Sequence, residues 1–110
     1  MRYELRAANV SYAIQFEAPA TEGYIVGRSD ESSAYKPDID LANAEGRVRG
    51  ISRRHAAFVR YQGALHVIDL ESVNGTYIND QRLPPNVPHP LHTGDELRFG
   101  SLHMRLLPVS

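Results

Sequence analysis

A chain of 110 residues with 42% hydrophobic content suits one domain, spanning 1–110, whose core is large enough to fold without covalent staples. It holds no cysteine, which excludes a disulfide framework and thiolate metal sites, and its net charge of -1 excludes the overall basic field that drives general nucleic-acid binding. No apolar run approaches the roughly 20 residues a bilayer requires and no signal peptide is visible, so the expectation is a soluble, cytoplasmic protein with no membrane partner.

Tyr3 to Ala7 and Val10 to Phe16 alternate polar and apolar residues, which predicts two strands, the second with Val10, Tyr12, Ile14 and Phe16 on one face. Pro19 and Gly23 bracket a turn, and Gly23 to Gly27 reads as a third strand ending at Arg28. Ser29 to Pro37 is polar and aperiodic, a loop, and Asp38-Ile39-Asp40-Leu41 alternates again as a short strand. Ala42 to Ser52 carries Asn43, Gly46 and Gly50 among charges and reads as a second exposed loop. His55 to Tyr61 and Ala64 to Leu70 are strands separated by Gln62-Gly63, a hairpin with a tight turn. A third loop runs from Glu71 to Thr76. Tyr77-Ile78 and Gln81 to Leu83 then flank Asn79-Asp80, a pair that tolerates the positive φ of a hairpin turn. Pro84, Pro85, Pro88 and Pro90 rule out a central strand or a helix in the next segment. Thr93-Gly94-Asp95 is a turn, and Glu96 to Gly100 with Ser101 to Leu107 closes the chain as a hairpin. With no helical period in any window, ten to eleven short, mostly antiparallel strands predict an all-β fold, a β-sandwich.

Between Gly50 and Ala56, Ser52-Arg53-Arg54-His55 puts a hydroxyl, two guanidinium groups and an imidazole in four consecutive residues. Such a cluster suits an anion, because each planar guanidinium can engage two oxygens and the hydroxyl can donate a third bond. Arg28, Arg47, Arg49, Arg53, Arg54 and Arg60 all fall between positions 28 and 60, which points to one positive face. Gly27-Arg28 at a strand end and Asn74-Gly75-Thr76, with Asn79 just beyond, are the other two pieces that stand out.

In this order and at these separations the three pieces resemble the forkhead-associated (FHA) domain, a β-sandwich that reads phosphothreonine. Asp38-Ile39-Asp40-Leu41 and Gly94-Asp95-Glu96-Leu97 are similar to that family too, and the likeness covers nearly the whole chain. The resemblance implies that Arg28 grips the phosphate, Ser52 donates its hydroxyl to it, Arg53 adds a second guanidinium and Asn74 binds the ligand's main chain. It also implies that Gly27, His55, Gly75, Thr76 and Asn79 brace the site, with His55 not touching the ligand. Val73 departs from the family, which often has Thr there, and the loop from Arg28 to Asp38 is longer than usual. Arg47 and Arg49 are the candidates for reading an acidic side chain that follows the phosphothreonine.

The resulting expectation is a phosphothreonine-peptide recognition module, not an enzyme, without cofactor or metal, monomeric, whose partner is a threonine-phosphorylated protein or peptide. A scaffold that keeps the fold but binds independently of phosphate is the alternative. Other readings are weaker on physical grounds. Ser52 and His55 with Asp69 or Asp95 contain the residue types of a hydrolase triad but lack the strand-to-helix turn of a nucleophile elbow. His89 and His92 are spaced by three, yet proline prevents the helix that would align them on a metal. The Arg-rich face lacks the aromatics on which nucleic-acid bases stack.

Overall fold

Period-two alternation builds the core directly. In β1 (Arg2–Ala7) Leu5 and Ala7 turn inward while Arg6 faces out, and in β11 (Leu102–Pro108) Leu102, Met104 and Leu106 do the same. The computed structural model describes residues 1–109. Between these two strands the chain forms β2 (Ala13–Glu17), β3 (Tyr24–Gly27), β4 (Ile39–Asp40), a 3-10 helix (Ala42–Ala44), β5 (Ala56–Tyr61), β6 (Ala64–Asp69), β7 (Thr76–Ile78), β8 (Gln81–Arg82), β9 (His89–Pro90) and β10 (Glu96–Phe99). One sheet runs β2-β1-β11-β10-β7-β8 and the other β4-β3-β5-β6-β9. Each strand pairs antiparallel with its neighbours except β3 with β4, so the expected mostly antiparallel sandwich is what the chain forms.

The two sheets enclose one apolar cluster. Leu5, Leu97, Phe99, Met104 and Leu106 come from the first sheet, and Val26, Ala56, Phe58 and Val67 from the second. Phe16 of β2 stacks on Phe58 of β5, ring centroids 5.2 Å apart, which ties the sheets at one end. Of the three two-residue hairpin loops, two have positive φ at both positions, Gln62 at 51° and Gly63 at 77°, Asn79 at 49° and Asp80 at 69°, whereas Gly100-Ser101 between β10 and β11 has it at Gly100 alone. Positive φ at both positions makes the mirror-image turn whose twist matches that of the flanking strands.

Three elements differ from the sequence expectation. The second strand starts at Ala13 instead of Val10, because residues 8–12 reverse the chain: Tyr12 closes a turn onto the Val10 carbonyl and receives the Ala7 N–H on its own. Val10 and Tyr12 still pack against the core, so their spacing reflects burial without strand pairing. The loop after β4 contains the 3-10 helix, too short for any period to show. Within the proline-rich segment, His89–Pro90 pairs with β6 at the sheet edge, where the missing N–H of proline costs no ladder bond.

Candidate functional site

Strand register decides which loops meet. Val26 of β3 pairs with Ala56 of β5, and Ala56 pairs on its other side with Asp69 of β6. The exit of β3, the entry to β5 and the exit of β6 therefore lie side by side at one end of the five-stranded sheet. Arg28, the Ser52–His55 run and the loop carrying Val73 and Asn74 follow from those three strand ends.

Gly27 permits the closest of these approaches. The Arg53 carbonyl passes directly over it, so that a Cβ at position 27 would lie 1.8 Å from the Arg53 oxygen and 3.1 Å from that of Ser52. One residue on, Arg28 donates Nε–H to the Ile51 carbonyl at 2.7 Å and turns Nη1 toward Asp30 Oδ2 at 3.5 Å. Arg53 Nη2 reaches the same Asp30 oxygen at 2.8 Å. Two guanidinium groups from different loops thus converge on one carboxylate oxygen. Behind them Asp40 accepts the Ser29 N–H at 3.0 Å and its hydroxyl at 2.5 Å, which fixes the direction in which the chain leaves β3.

His55 connects two of the loops from inside. It is fully buried and stands edge-on to Phe99. Its Nδ1 accepts the Ser52 N–H at 3.0 Å, which leaves Nε2–H to donate to the Gly75 carbonyl at 2.8 Å. Burial holds its pKa below the ordinary 6.5, against the opposing pull of the Gly75 carbonyl and Asp69, and a proton on Nδ1 would abolish the Ser52 bond. The unfolded chain takes up a proton near pH 6.5 that the buried ring refuses. Folding stability is therefore expected to be fully present above pH 6.5 and to fall as the pH drops below it, by up to about 1.4 kcal/mol per pH unit. Urea midpoints measured between about pH 7.5 and 5.5, for the parent and for His55→Gln, check this. A parent midpoint that stays flat over that range, or an equal slope in the variant, contradicts it.

The third loop is shaped by the expected Gly75 and Thr76 together with Asp69 and Ser72, which sequence reasoning did not single out as part of the site. Asp69 is buried and its Oδ1 accepts the hydroxyls of Ser72 at 2.6 Å and Thr76 at 2.7 Å, while the Ser72 Oγ accepts the Gly75 N–H at 3.1 Å. An Asp closing a strand with Ser three residues on was the available signal, since such side chains bond nearby backbone in turns. Gly75 sits at φ 89°, a left-handed angle that suits glycine, and this turns its carbonyl toward His55. At the loop tip Val73 is 82% exposed and gives its N–H to Ser52 Oγ at 3.2 Å. The hydroxyl of Ser52 keeps its own proton for a ligand. Asn74 binds the Gly50 carbonyl through Nδ2 at 2.9 Å, which leaves Oδ1 to accept a main-chain N–H.

The remaining candidates separate. Arg47 lines an open cleft of about 520 Å³ together with Arg28, Asp30, Glu31, Ser32 and Arg53. Arg49 does not, because its guanidinium is held by Glu45 one turn earlier, at 3.1 and 3.2 Å. Asn79 stands at the far end of β7 from Gly75, bound to Asp95 and to the Glu96 N–H. His89 and His92 bond to the Pro90 carbonyl and approach Asp95 respectively. Three guanidinium groups line the cleft beside the carboxylates of Asp30 and Glu31, and the neighbouring loops carry the Ser52 hydroxyl and the Asn74 carboxamide, a donor set for an anion attached to an extended chain.

The FHA domain family model matches residues 24–100. Over 99 residues the chain is 31% identical to the oxoglutarate dehydrogenase inhibitor of Corynebacterium diphtheriae, covering 90% of this chain and 58% of that protein. Over 102 residues it is 29% identical to the glycogen accumulation regulator GarA of Mycolicibacterium smegmatis, covering 93% and 54%. The chain thus spans little more than half the length of these curated relatives. Its fold superposes with a TM-score of 0.76, at 19% identity, on the N-terminal FHA domain of Saccharomyces cerevisiae Rad53p solved in complex with a phosphothreonine peptide, over 99% of this chain and 94% of that one.

Proposed function

The chain belongs to the FHA domain family, and from that membership we propose that it is a recognition module for threonine-phosphorylated peptides that performs no chemistry of its own. The observation that carries this reading is the convergence of Arg28 and Arg53 on one anionic oxygen. A phosphate of about -1.5 to -2 charge needs several charged donors to offset its loss of water, and two guanidinium groups with the Ser52 hydroxyl beside them supply such a set. In this reading Asn74 Oδ1 takes an N–H of the peptide next to the phosphothreonine, and Arg47 attracts an acidic side chain further along. Gly27, His55, Gly75 and Thr76 hold these groups in place. The partner is a protein phosphorylated on threonine, and relatives named as an inhibitor and a regulator favour a regulatory role over a catalytic one. The histidine argues the same way, since both His55 ring nitrogens are occupied by backbone groups and neither is left to serve as a base toward the Ser52 hydroxyl.

Matched peptides carrying phosphothreonine, phosphoserine or plain threonine test the proposal by titration. Affinity for a good phosphothreonine peptide is expected on the order of micromolar, because a flexible peptide loses entropy on ordering. The phosphothreonine form is expected to bind at least about tenfold tighter than phosphoserine. Burial of one methyl contributes about 0.8 kcal/mol, about fourfold, and the stiffer χ1 of a β-branched residue prearranges the phosphate for the rest. Exposed Val73 offers that methyl an apolar surface to cover. Equal affinity for phosphoserine would reduce the site to a general anion receptor, and equal affinity for the unphosphorylated peptide would favour a phosphate-independent scaffold.

A further inference from the structure

We propose that Asp30 is a specificity-determining residue: its carboxylate stands in for the ligand's phosphate on Arg28 and Arg53, so that a doubly charged phosphate displaces it while a singly charged carboxylate does not. This rests on the phosphopeptide reading above. The geometry divides the work of the two Asp30 oxygens. Oδ1 is held from behind by its own loop, accepting the Ser32 hydroxyl at 2.5 Å and the Ser32 N–H at 3.0 Å. Oδ2 is presented forward to Arg53 at 2.8 Å and Arg28 at 3.5 Å. A side chain that merely met two solvated arginines would need no such rear support. The Asp30 side chain is only 15% exposed, lies in the lining of the cleft, and has Glu31 beside it there.

Because Asp30 is two residues from Arg28 in the chain, it competes at every protein concentration. An incoming anion binds only the fraction of molecules in which the carboxylate has swung away, and its apparent affinity falls by that fraction. Exchange of one carboxylate for another leaves the charge at the two guanidinium groups unchanged. Exchange for a phosphate of about -1.5 to -2 does not. The hydrogen bond from Ser32, followed by the charges of Arg53 and Arg28, keeps the Asp30 carboxyl below the usual carboxylate range despite partial burial, so the competitor is ionised wherever the phosphate is. The loop from Ser29 to Pro37, which the family resemblance makes unusually long, thereby gains a use: it delivers a tethered anion to the site and lets aspartate or glutamate side chains of other proteins pass unbound.

The experiment titrates the parent and Asp30→Asn, which keeps the oxygen that Ser32 holds and removes the charge, with a phosphothreonine peptide library and with the same library carrying glutamate in place of phosphothreonine. Asp30→Asn is expected to bind the phosphothreonine library about three- to tenfold tighter, from two part-exposed ion pairs released, and to acquire measurable binding to the glutamate library. Ser32→Ala, which loosens the rear support without touching a charge, is expected to move affinity in the same direction by less, and stands in if Asp30→Asn does not fold. Unchanged or weaker phosphopeptide binding in these variants would overturn the role given to Asp30 while leaving the phosphopeptide reading intact. Should neither parent nor variants bind the phosphothreonine library, that reading fails by itself. Inorganic phosphate, followed through the arginine Nε–H resonances, then decides the competition: tighter binding in Asp30→Asn upholds it and equal binding removes it.

Discussion

Replacing Arg28 with Ala is expected to weaken phosphothreonine-peptide binding by at least about tenfold while the sandwich remains folded, since a hydrogen bond to a charged group contributes about 1.5 to 3 kcal/mol. The side chain is 21% exposed and its Nε–H is spent on the Ile51 carbonyl, so Nη1 and Nη2 point at the cleft from a pinned base. That pin lies beside Ser52, and its loss frees the segment from which the hydroxyl and the Arg53 guanidinium are presented. Arg28→Lys is expected to recover only part of the loss. An ammonium is a point charge and cannot hold a carbonyl with one face of a fork while giving the other to an anion. The core stays as it was, because Arg28 lies outside the apolar cluster. Fluorescence anisotropy on one labelled peptide, with thermal unfolding as the control for folding, measures the effect. An affinity within about twofold of the parent would remove Arg28 from the set of phosphate ligands.

Strands and hairpin turns were legible because each leaves a local trace. Alternation in β1 follows from one buried face, β5 is marked by its strand-forming residue types, and the turns at Gln62-Gly63 and Asn79-Asp80 contain Gly, Asn and Asp, which accept positive φ. The same logic misplaced the start of β2. Val10 and Tyr12 are apolar because they pack on the core, and alternation records burial without recording whether the backbone is paired. Elements of two or three residues, such as β9 and the 3-10 helix, are shorter than any period that could announce them.

In the candidate site, residue types were legible and partners were not. Arg28, Ser52, Arg53 and Asn74 stand out by chemistry and order. Nothing local to Asp30, one acid in a polar loop, says that it meets guanidinium groups from positions 28 and 53. Asp69 and Ser72 form their network with Thr76 across a loop whose path depends on Gly75 and on His55 at the entry to β5. Arg47 and Arg49 looked alike as a pair. Glu45 four residues before Arg49 is the one local sign that separates them, because the turn closed by the Arg49 N–H on the Glu45 carbonyl brings their opposite charges together.

Gly27→Ala is expected to be the most damaging single-methyl change in the chain. Its cost is steric and not conformational, since Gly27 is not among the residues with positive φ and alanine could adopt its backbone angles. The added carbon would lie 1.8 Å from the Arg53 carbonyl oxygen and 2.7 Å from its carbon. Those are main-chain atoms, so no change of rotamer relieves the contact. Neither side can yield cheaply. Gly27 is paired with Asp40 of β4 and its carbonyl takes the Leu41 N–H at 2.7 Å. The opposing segment is held by Arg28 on the Ile51 carbonyl, by the Ser52 N–H on His55 Nδ1, and by the His55 N–H on the Val26 carbonyl. Separating them breaks at least one of these bonds beside a buried imidazole. Overpacking of this kind costs about 3 kcal/mol, enough to lower the thermal midpoint of a domain this size by about 10 °C or more. Binding is expected to fall at least about tenfold at a temperature where the variant is still folded, because the peptide backbone that must move carries Ser52 and Arg53. Stability within about 0.5 kcal/mol of the parent with unchanged phosphopeptide affinity would mean that the two loops can part without loss, and that their close approach does not set the site's geometry.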